Sequence, residues 1–204
     1  MYNKLIIYFM YMTEVVLEDT FESAIRLIKE NYDPVVLDFA SATNAGGGWK
    51  TKSKTFVESG TQEESLCRRS NLGLLLEKLK YPMSRDASYY VKNVIIERDK
   101  KGNKLNDVYK CAVIASELKS IALHKSEYLQ KRICDLYEIA IKNKHDVIIL
   151  GAWGCGAFGE TDDDREILAK EFKKALEKYD TKIKSVFALI KKDTVDIFKN
   201  ILIE

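Results

Sequence analysis

Two adjacent carboxylates, Glu63 and Glu64, follow Gln62 at the start of a helical stretch, and three successive glycines, Gly46, Gly47 and Gly48, lie upstream of them. Three glycines in a row carry no Cβ, so the backbone reaches φ > 0 and can lie against a ligand with its amides exposed, a surface that suits phosphate oxygens. A carboxylate at the start of the next helix is then a candidate acid or base within reach of whatever the glycines hold. Neighbouring helical residues project about 100° apart, so the two acids should do different jobs. First-turn acids are also what the positive end of any helix favours. A second glycine loop, Gly151 to Gly159 (GAWGCGAFG), has Gly154, Cys155, Gly156, Ala157 and Phe158 at its centre. The economical account closes both loops over one diphosphate, with Phe158 at the tip to stack on a sugar.

Secondary-structure elements must deliver these residues. Val35 to Ala40 (VVLDFA) is short, apolar and β-branched at its start, which predicts a buried strand leading into the first glycine loop. Upstream, Thr13 to Glu18 alternates as a strand. Asp19-Thr20 then offers an N-cap for a helix with Phe21, Ala24, Ile25 and Ile28 on one face, closed by Asp33-Pro34. The helix from Gln62 carries Leu66, Leu72, Leu75, Leu76 and Leu79 near the helical period and stops before Pro82, and Gly73 inside it places a break near Asn71. Ser88 to Asp99 and Val108 to Ala115 are β-rich runs about a polar turn, either a hairpin or two neighbouring strands. His124 to Lys144 predicts an amphipathic helix with Leu129, Ile133, Leu136, Tyr137, Ala140 and Ile141 inward. Val147 to Leu150 is a buried strand into the second loop, and a helix from about Asp162 to Lys178 opens with three aspartates. Lys184 to Ile190 reads as a last strand and Asp193 to Ile203 as a last helix. Strands separated by helices and entering two glycine loops give an α/β layered fold. A length of 204 residues, with no fixed repeat and no low-complexity linker, gives one domain. The apolar run within residues 1–12 is too short to span a bilayer and lacks a small-residue cleavage site, so it is expected as an extra edge strand or covering segment.

Composition narrows the partners. With 33 basic against 31 acidic residues, net charge +2 and no long basic block, a nucleic-acid surface is not indicated. Lys50, Lys52 and Lys54 form a small local excess, either a solvated loop or a phosphate-steering set. Cys67, Cys111, Cys134 and Cys155 are widely separated, with no C-x-x-C and no histidine at ligand spacing, so no metal is expected. They read as small packing residues, reduced in a cytosolic or nuclear setting. Gly154 to Gly159 also matches G-x-G-x-x-G after a strand and before a helix. That fingerprint arrives near the fourth or fifth strand and competes with a richer glycine loop, which weighs against a nicotinamide dehydrogenase. The lysines after Gly48 do not follow a P-loop pattern and no G-x-S-x-G elbow occurs. His124 and His145 give little support to a triad, and His145, between a helix and a strand, reads as a solvated cap-like residue.

The triple glycine followed by Gln62, Glu63 and Glu64 resembles the signature of the poly(ADP-ribose) glycohydrolases, in particular their shorter microbial type, which are modified macrodomains. LDFASATNAGGG before the pair, EESLCRRSNL from it onward and GAWGCGAFG extend the resemblance over roughly residues 13 to 190. Two departures stand out. Thirteen residues separate Gly48 from Gln62 where about half that is expected, and this Trp49 to Thr61 insertion is a lid hinged at Gly60 or a surface loop. Ser116 to Lys119 reads SELK where a small, proline-containing turn is expected.

The resemblance implies a macrodomain-like three-layer α/β fold with a mixed central β-sheet flanked by helices. It implies hydrolysis of the ribose–ribose bonds of poly(ADP-ribose) with release of ADP-ribose, a reversal of ADP-ribosylation of the kind that serves the DNA damage response, without metal or redox cofactor. The diphosphate would lie at the amides of Gly47, Gly48, Gly154 and Gly156, with Gly46, Cys155, Ala157 and Phe158 lining the site. Glu64 is implied as the acid that protonates the departing oxygen and then as the base that activates water, with Glu63 holding ribose hydroxyls and Gln62 among the binding residues that orient the site. Asn44 bonds the distal ribose or stabilises the turn. Asp38, an acid in a buried strand that must find a partner, is an adenine or ribose contact. Ser41 stands where longer family members carry an asparagine. Burial and a like charge raise an acid's pKa while a helix N-terminus lowers it, so competence is expected chiefly in the complex, beside the ligand phosphates. Two other readings stay open: removal of single ADP-ribose units from protein or nucleic acid, and ADP-ribose binding without cleavage, against which the intact acid pair argues.

Overall fold

The structure, a computed structural model, describes residues 13–51, 60–119, 121–155 and 161–203. In chain order the elements are β1 (Thr13–Leu17), α1 (Thr20–Lys29), β2 (Pro34–Phe39), α2 (Gln62–Arg69), α3 (Leu72–Leu76), β3 (Ser88–Arg98) and β4 (Lys104–Ser116). A 3₁₀ turn (Ile121–Leu123) leads to α4 (Ser126–Lys142), β5 (Val147–Leu150), α5 (Asp162–Tyr179), β6 (Lys184–Leu189) and α6 (Lys192–Leu202). The strands form one mixed sheet in the order β1-β6-β5-β2-β4-β3. All neighbours are parallel except β3, which runs antiparallel to β4 at the edge.

Both faces of the sheet are covered, which is why its central strands read as continuous apolar runs. Val35, Leu37, Ile114, Ile148 and Leu150 point into a core built with α4, α5 and α6, while Val36, Val113, Val147 and Ile149 point into a second core built with α1, α2 and α3. The result is the three-layer arrangement expected. Because the parallel strands share one direction, the loops after β2 and β5, adjacent strands, emerge side by side at one end of the sheet.

Local chemistry sets the boundaries. Asp19 caps α1 by accepting from the amides of Phe21 and Glu22 at 2.8 and 3.0 Å, and Glu22 reaches back to the Asp19 amide at 3.1 Å, a reciprocal capping box. That helix ends at Lys29, before the expected Asp33-Pro34 stop, because Asn31 takes a left-handed conformation (φ 68°) and Pro34 already opens β2. Its buried face is Phe21, Ala24 and Leu27, with Ile25 and Ile28 half-buried beside it. The expected break near Asn71 is present: Ser70 bridges to Ile96, and Asn71 accepts the Ile95 amide at 2.8 Å. β3 and β4 form a hairpin longer than the two β-rich runs, with a register shift between Val91 and Val94 where Asn93 has φ 58°. One expectation is corrected: His145 is buried, bonded through Nε2 to the Tyr90 hydroxyl (2.6 Å) and through Nδ1 to the Asp33 carbonyl (3.1 Å), because β5 carries it against the neighbouring chain instead of into solvent. The expectation for residues 1–12 lies outside the described residues. Among the described residues, no helix is long and apolar enough to cross a membrane.

Candidate active site

β5 pairs with β2 only from Pro34 to Val36, so the Leu37 carbonyl and the Phe39 amide lack a strand partner on that side. Gln62 takes both: its Oε1 accepts from Phe39 N at 2.9 Å, and its Nε2 donates to Leu37 O at 2.8 Å and to Thr20 Oγ1 at 3.2 Å. Thr61 caps the helix by accepting the Glu64 amide at 3.2 Å. The first turn of α2 is thereby fixed against the end of β2. Gln62, expected among the binding residues that orient the site, has its carboxamide bonded to the β2 backbone and to Thr20.

Glu63 and Glu64 are held differently. Glu63 is 2 % exposed, and its two oxygens accept from the amides of Ser41 (2.8 Å) and Gly46 (3.0 Å). Burial pushes its carboxyl up to about 7, opposed by those two amides and assisted by the charge of Glu64. Glu64 keeps 17 % of its side chain in solvent and accepts from Gly48 N (3.2 Å) and Gly60 N (2.9 Å). Arg68, one turn on, lies 3.8 Å from Glu64 and donates to the carbonyls of Trp49 and Gly48, so one guanidinium joins acid and loop.

These contacts explain the three glycines. A Cβ on Gly48 would stand 2.8 Å from Glu64 Oε1, one on Gly47 3.3 Å from Glu63 Oε2, and one on Gly46 2.4 Å from Trp49 Cδ1; Gly46 and Gly47 also have φ of +73° and +58°. The Trp49 ring folds back onto α3, where a Cβ on Gly73 would lie 2.5 Å from it, so the helix glycine that weakens the sequence pattern is the seat of this indole. The first-loop amides, expected to face a diphosphate, have partners inside the chain: Gly46 and Gly48 donate to the two glutamates and Gly47 donates to the Asn44 carbonyl (3.0 Å). The loop cradles the acids. Asn44 is exposed, its backbone amide bonded to Ser41 Oγ at 3.2 Å and its side-chain amide to Thr43 Oγ1 at 3.3 Å.

Asp38, expected as an adenine or ribose contact, faces inward. It is 0 % exposed on the α2 side of the sheet, with neither carboxylate oxygen hydrogen-bonded, so it does not face an adenine from this position. Burial, and then the charge of Glu63, pushes its carboxyl well above the usual range. Asp38 and Glu63 also act together on their neighbours: burial first, then these two charges, raise the Cys67 thiol and the Tyr81 hydroxyl. The site is thus an acidic pocket beneath a backbone loop.

The second loop packs on the end of β4. Gly154 has φ +79°, and a Cβ there would meet Leu118, Ile121 and the Lys119 carbonyl at 3.1 to 3.2 Å. Trp153 is buried and donates from Nε1 to the Ser116 carbonyl at 3.0 Å. Cys155, expected along the substrate, is turned into the core at 1 % exposure, with its amide on the Ala152 carbonyl. Gly156, Ala157 and Phe158 lie outside the described residues, as do Lys52 and Lys54; Lys50 pairs with Glu77 at 2.5 Å. Sequence reasoning missed Ser41, Arg68 and Trp49 as supports of the pair, although the four-residue spacing of Glu64 and Arg68 is a legible signal. Among the described residues, no group of three or more His, Cys, Asp or Glu side chains is placed to hold a metal ion.

Comparison with known proteins bears on the family and the fold. The model of the microbial-type PARG catalytic domain matches residues 5–110. The structure of poly(ADP-ribose) glycohydrolase from Thermomonospora curvata, bound to the inhibitor ADP-HPD, superposes with a TM-score of 0.78 at 25 % identity, covering 97 % of this chain and 82 % of that one. The enzyme from Deinococcus radiodurans, in complex with ADP-ribose, shares the fold with a TM-score of 0.75 at 24 % identity, over 98 % and 90 % of the two chains. No curated protein sequence matches. With more than half of its length matched by the family model and the glycine loop wrapped on its paired glutamates, the chain belongs to the microbial-type poly(ADP-ribose) glycohydrolase catalytic-domain family.

Proposed function

We propose that this chain hydrolyses the ribose–ribose O-glycosidic bonds of poly(ADP-ribose) and releases ADP-ribose, with Glu64 as general acid and then general base. The observation that carries the assignment of roles is access. Of the two acids on the first turn of α2, Glu64 reaches solvent and Glu63 is enclosed by two backbone amides. Cleavage builds positive charge on the anomeric carbon and negative charge on the departing oxygen. Glu64 gives its proton to that oxygen, and as a carboxylate then takes one from the attacking water. Glu63 fixes the loop that surrounds the ribose, and its unused lone pairs can accept ribose hydroxyls. The diphosphate falls to the second loop, where the left-handed Gly154 begins the turn. A single sheet to which all the described helices pack supports reading the chain as one domain. Four widely separated cysteines, three of them buried, support a cytosolic or nuclear setting.

The test is product analysis on two substrates, purified poly(ADP-ribose) and a protein carrying a single ADP-ribose. The expected result is free ADP-ribose from the polymer, with the protein-linked unit left in place. Release of that single unit would point to a mono-ADP-ribosyl hydrolase, and binding without release from either substrate to a reader.

A further inference from the structure

A cavity of about 640 Å³ lies over the C-terminal ends of β2 and β4, lined among others by Ala42, Asp86, Lys119, His124, Lys125 and Tyr128. It begins beside the acid pair: Ala42 follows Ser41, whose amide holds Glu63, and the Ala42 carbonyl accepts the Met83 amide at 2.7 Å. The strand order places it. The first loop follows β2, the second follows β5 and sets Gly154 against Leu118, Lys119 and Ile121 just past the end of β4, and the cavity extends from there over β4 to Asp86 and Ala87 at the start of β3, on the side of β2 away from β5. A substrate held by the two loops with its reacting carbon at the glutamates therefore turns its other side toward this cavity.

The walls have defined chemistry. The His124 and Tyr128 rings stack with centroids 4.4 Å apart and planes at 27°, and the Tyr128 hydroxyl donates to Asp86 Oδ1 at 2.6 Å. Arg132, buried at the back, donates to the Asp86 carbonyl, to Ser116 Oγ (2.6 Å) and to the Glu117 carbonyl (2.9 Å), so its charge is fixed in place. Arg85, Lys119 and Lys125 are exposed at the rim, against the acids Asp86, Glu117 and Glu127. His124 Nε2 and Arg132 Nε are buried in the wall with no protein partner, polar capacity that the fold itself does not use. An aromatic platform flanked by cations is how proteins hold a nucleotide within a strand, and the volume lies in the range that encloses such a ligand.

We propose that this cavity is the subsite for the unit on the leaving side of the scissile bond, a nucleoside diphosphate whose base stacks on His124 and Tyr128 and whose phosphates meet Lys119 and Lys125. The assignment rests on the glycohydrolase reading above. When the ribose–ribose bond breaks, the leaving unit takes the proton from Glu64 on its ribose oxygen, and the subsite holds that unit in line with the acid until then.

The experiment compares two substrates with wild type, His124→Ala and Lys125→Ala. One is poly(ADP-ribose), and the other is ADP-ribose joined at the anomeric carbon of its distal ribose to a small aryl leaving group, which has no nucleotide beyond the bond. Loss of one stacking contact is expected to raise KM for the polymer about tenfold in His124→Ala, with a smaller, salt-dependent rise in Lys125→Ala. The aryl substrate and the affinity for free ADP-ribose should be unchanged, and thermal midpoints should match wild type. Equal losses on both substrates, or weakened binding of ADP-ribose, would show that the cavity serves the retained unit or only the fold, and would overturn the proposal; so would unchanged kinetics on the polymer. A wild type that cleaves neither substrate would overturn the glycohydrolase reading and this one with it.

Discussion

Gly48→Ala is expected to cost activity while sparing the fold. The new Cβ would lie 2.8 Å from Glu64 Oε1 and 3.4 Å from Thr51 Oγ1. Gly48 is not among the glycines with positive φ, so alanine fits its backbone, and the clash falls on the tip of a flexible side chain. To regain ordinary contact at 3.4 Å, the oxygen must retreat by about 0.6 Å (3.4 − 2.8), which stretches its 3.2 Å bond from the Gly48 amide. Losing that bond costs about 1 kcal/mol. The lower entropy of the unfolded alanine chain returns roughly 0.4–1 kcal/mol, so net stability should hold within about 1 kcal/mol. Catalysis is less tolerant: misplacement of a reacting group by about 1 Å costs on the order of a hundredfold, so kcat should fall roughly ten- to a hundredfold. The assay is kcat and KM for ADP-ribose release, with the thermal midpoint measured on the same samples. A kcat within twofold of wild type would refute the reasoning that the Gly48 amide seats the acid.

Two further outcomes follow from neighbouring contacts. Gly73→Ala puts a Cβ 2.5 and 2.6 Å from the Trp49 indole, which also lies against Gly46, so the half-buried ring must shift off both seats. An overpacking cost of roughly 1–3 kcal/mol is expected in urea unfolding, with Trp49 emission shifted to the red; unchanged stability would contradict the indole seat. Glu63 gives a pH dependence. Its carboxyl is near 7 in the folded chain and about 4.3 when unfolded, so the folded state binds more protons between those values, and stability is lost as pH rises through that window. The upper limit is about 4 kcal/mol, shared with Asp38, which burial also raises. Glu63→Gln should flatten the slope between pH 5 and 7.5, and parallel slopes for variant and wild type would contradict the burial argument.

The central strands and most helix limits are legible because apolar runs and caps are local signals. Val147–Leu150 and the Asp19 cap are placed as the residue pattern indicates. The hairpin is extended by Lys104 to Asp107, a mostly polar stretch that joins the strand through Lys104 opposite Arg98, next to a register shift between Ile96 and Arg98. At the site, the glycine triplet and the acid pair are visible as a constellation, but what each glycine faces is not. Whether a backbone amide points to a ligand or to a carboxylate depends on how α2 docks on β2, and that docking runs through Gln62 and two unpaired strand groups that exist only once β5 has diverged. Gly73 is unreadable for the same reason, since its neighbour is an indole 24 residues away in sequence. Asp38 shows the limit from the other side: its need for a partner is legible, yet the fold leaves both its oxygens without one.

The most direct measurement is ADP-ribose release from purified poly(ADP-ribose) by wild type and by Glu64→Gln, with ADP-ribose affinity determined on both. The account predicts release by wild type, a loss of at least about a hundredfold in the variant, in line with removal of a general acid–base group, and affinities within a few-fold of each other. Release by Glu64→Gln at a rate near that of wild type would contradict it.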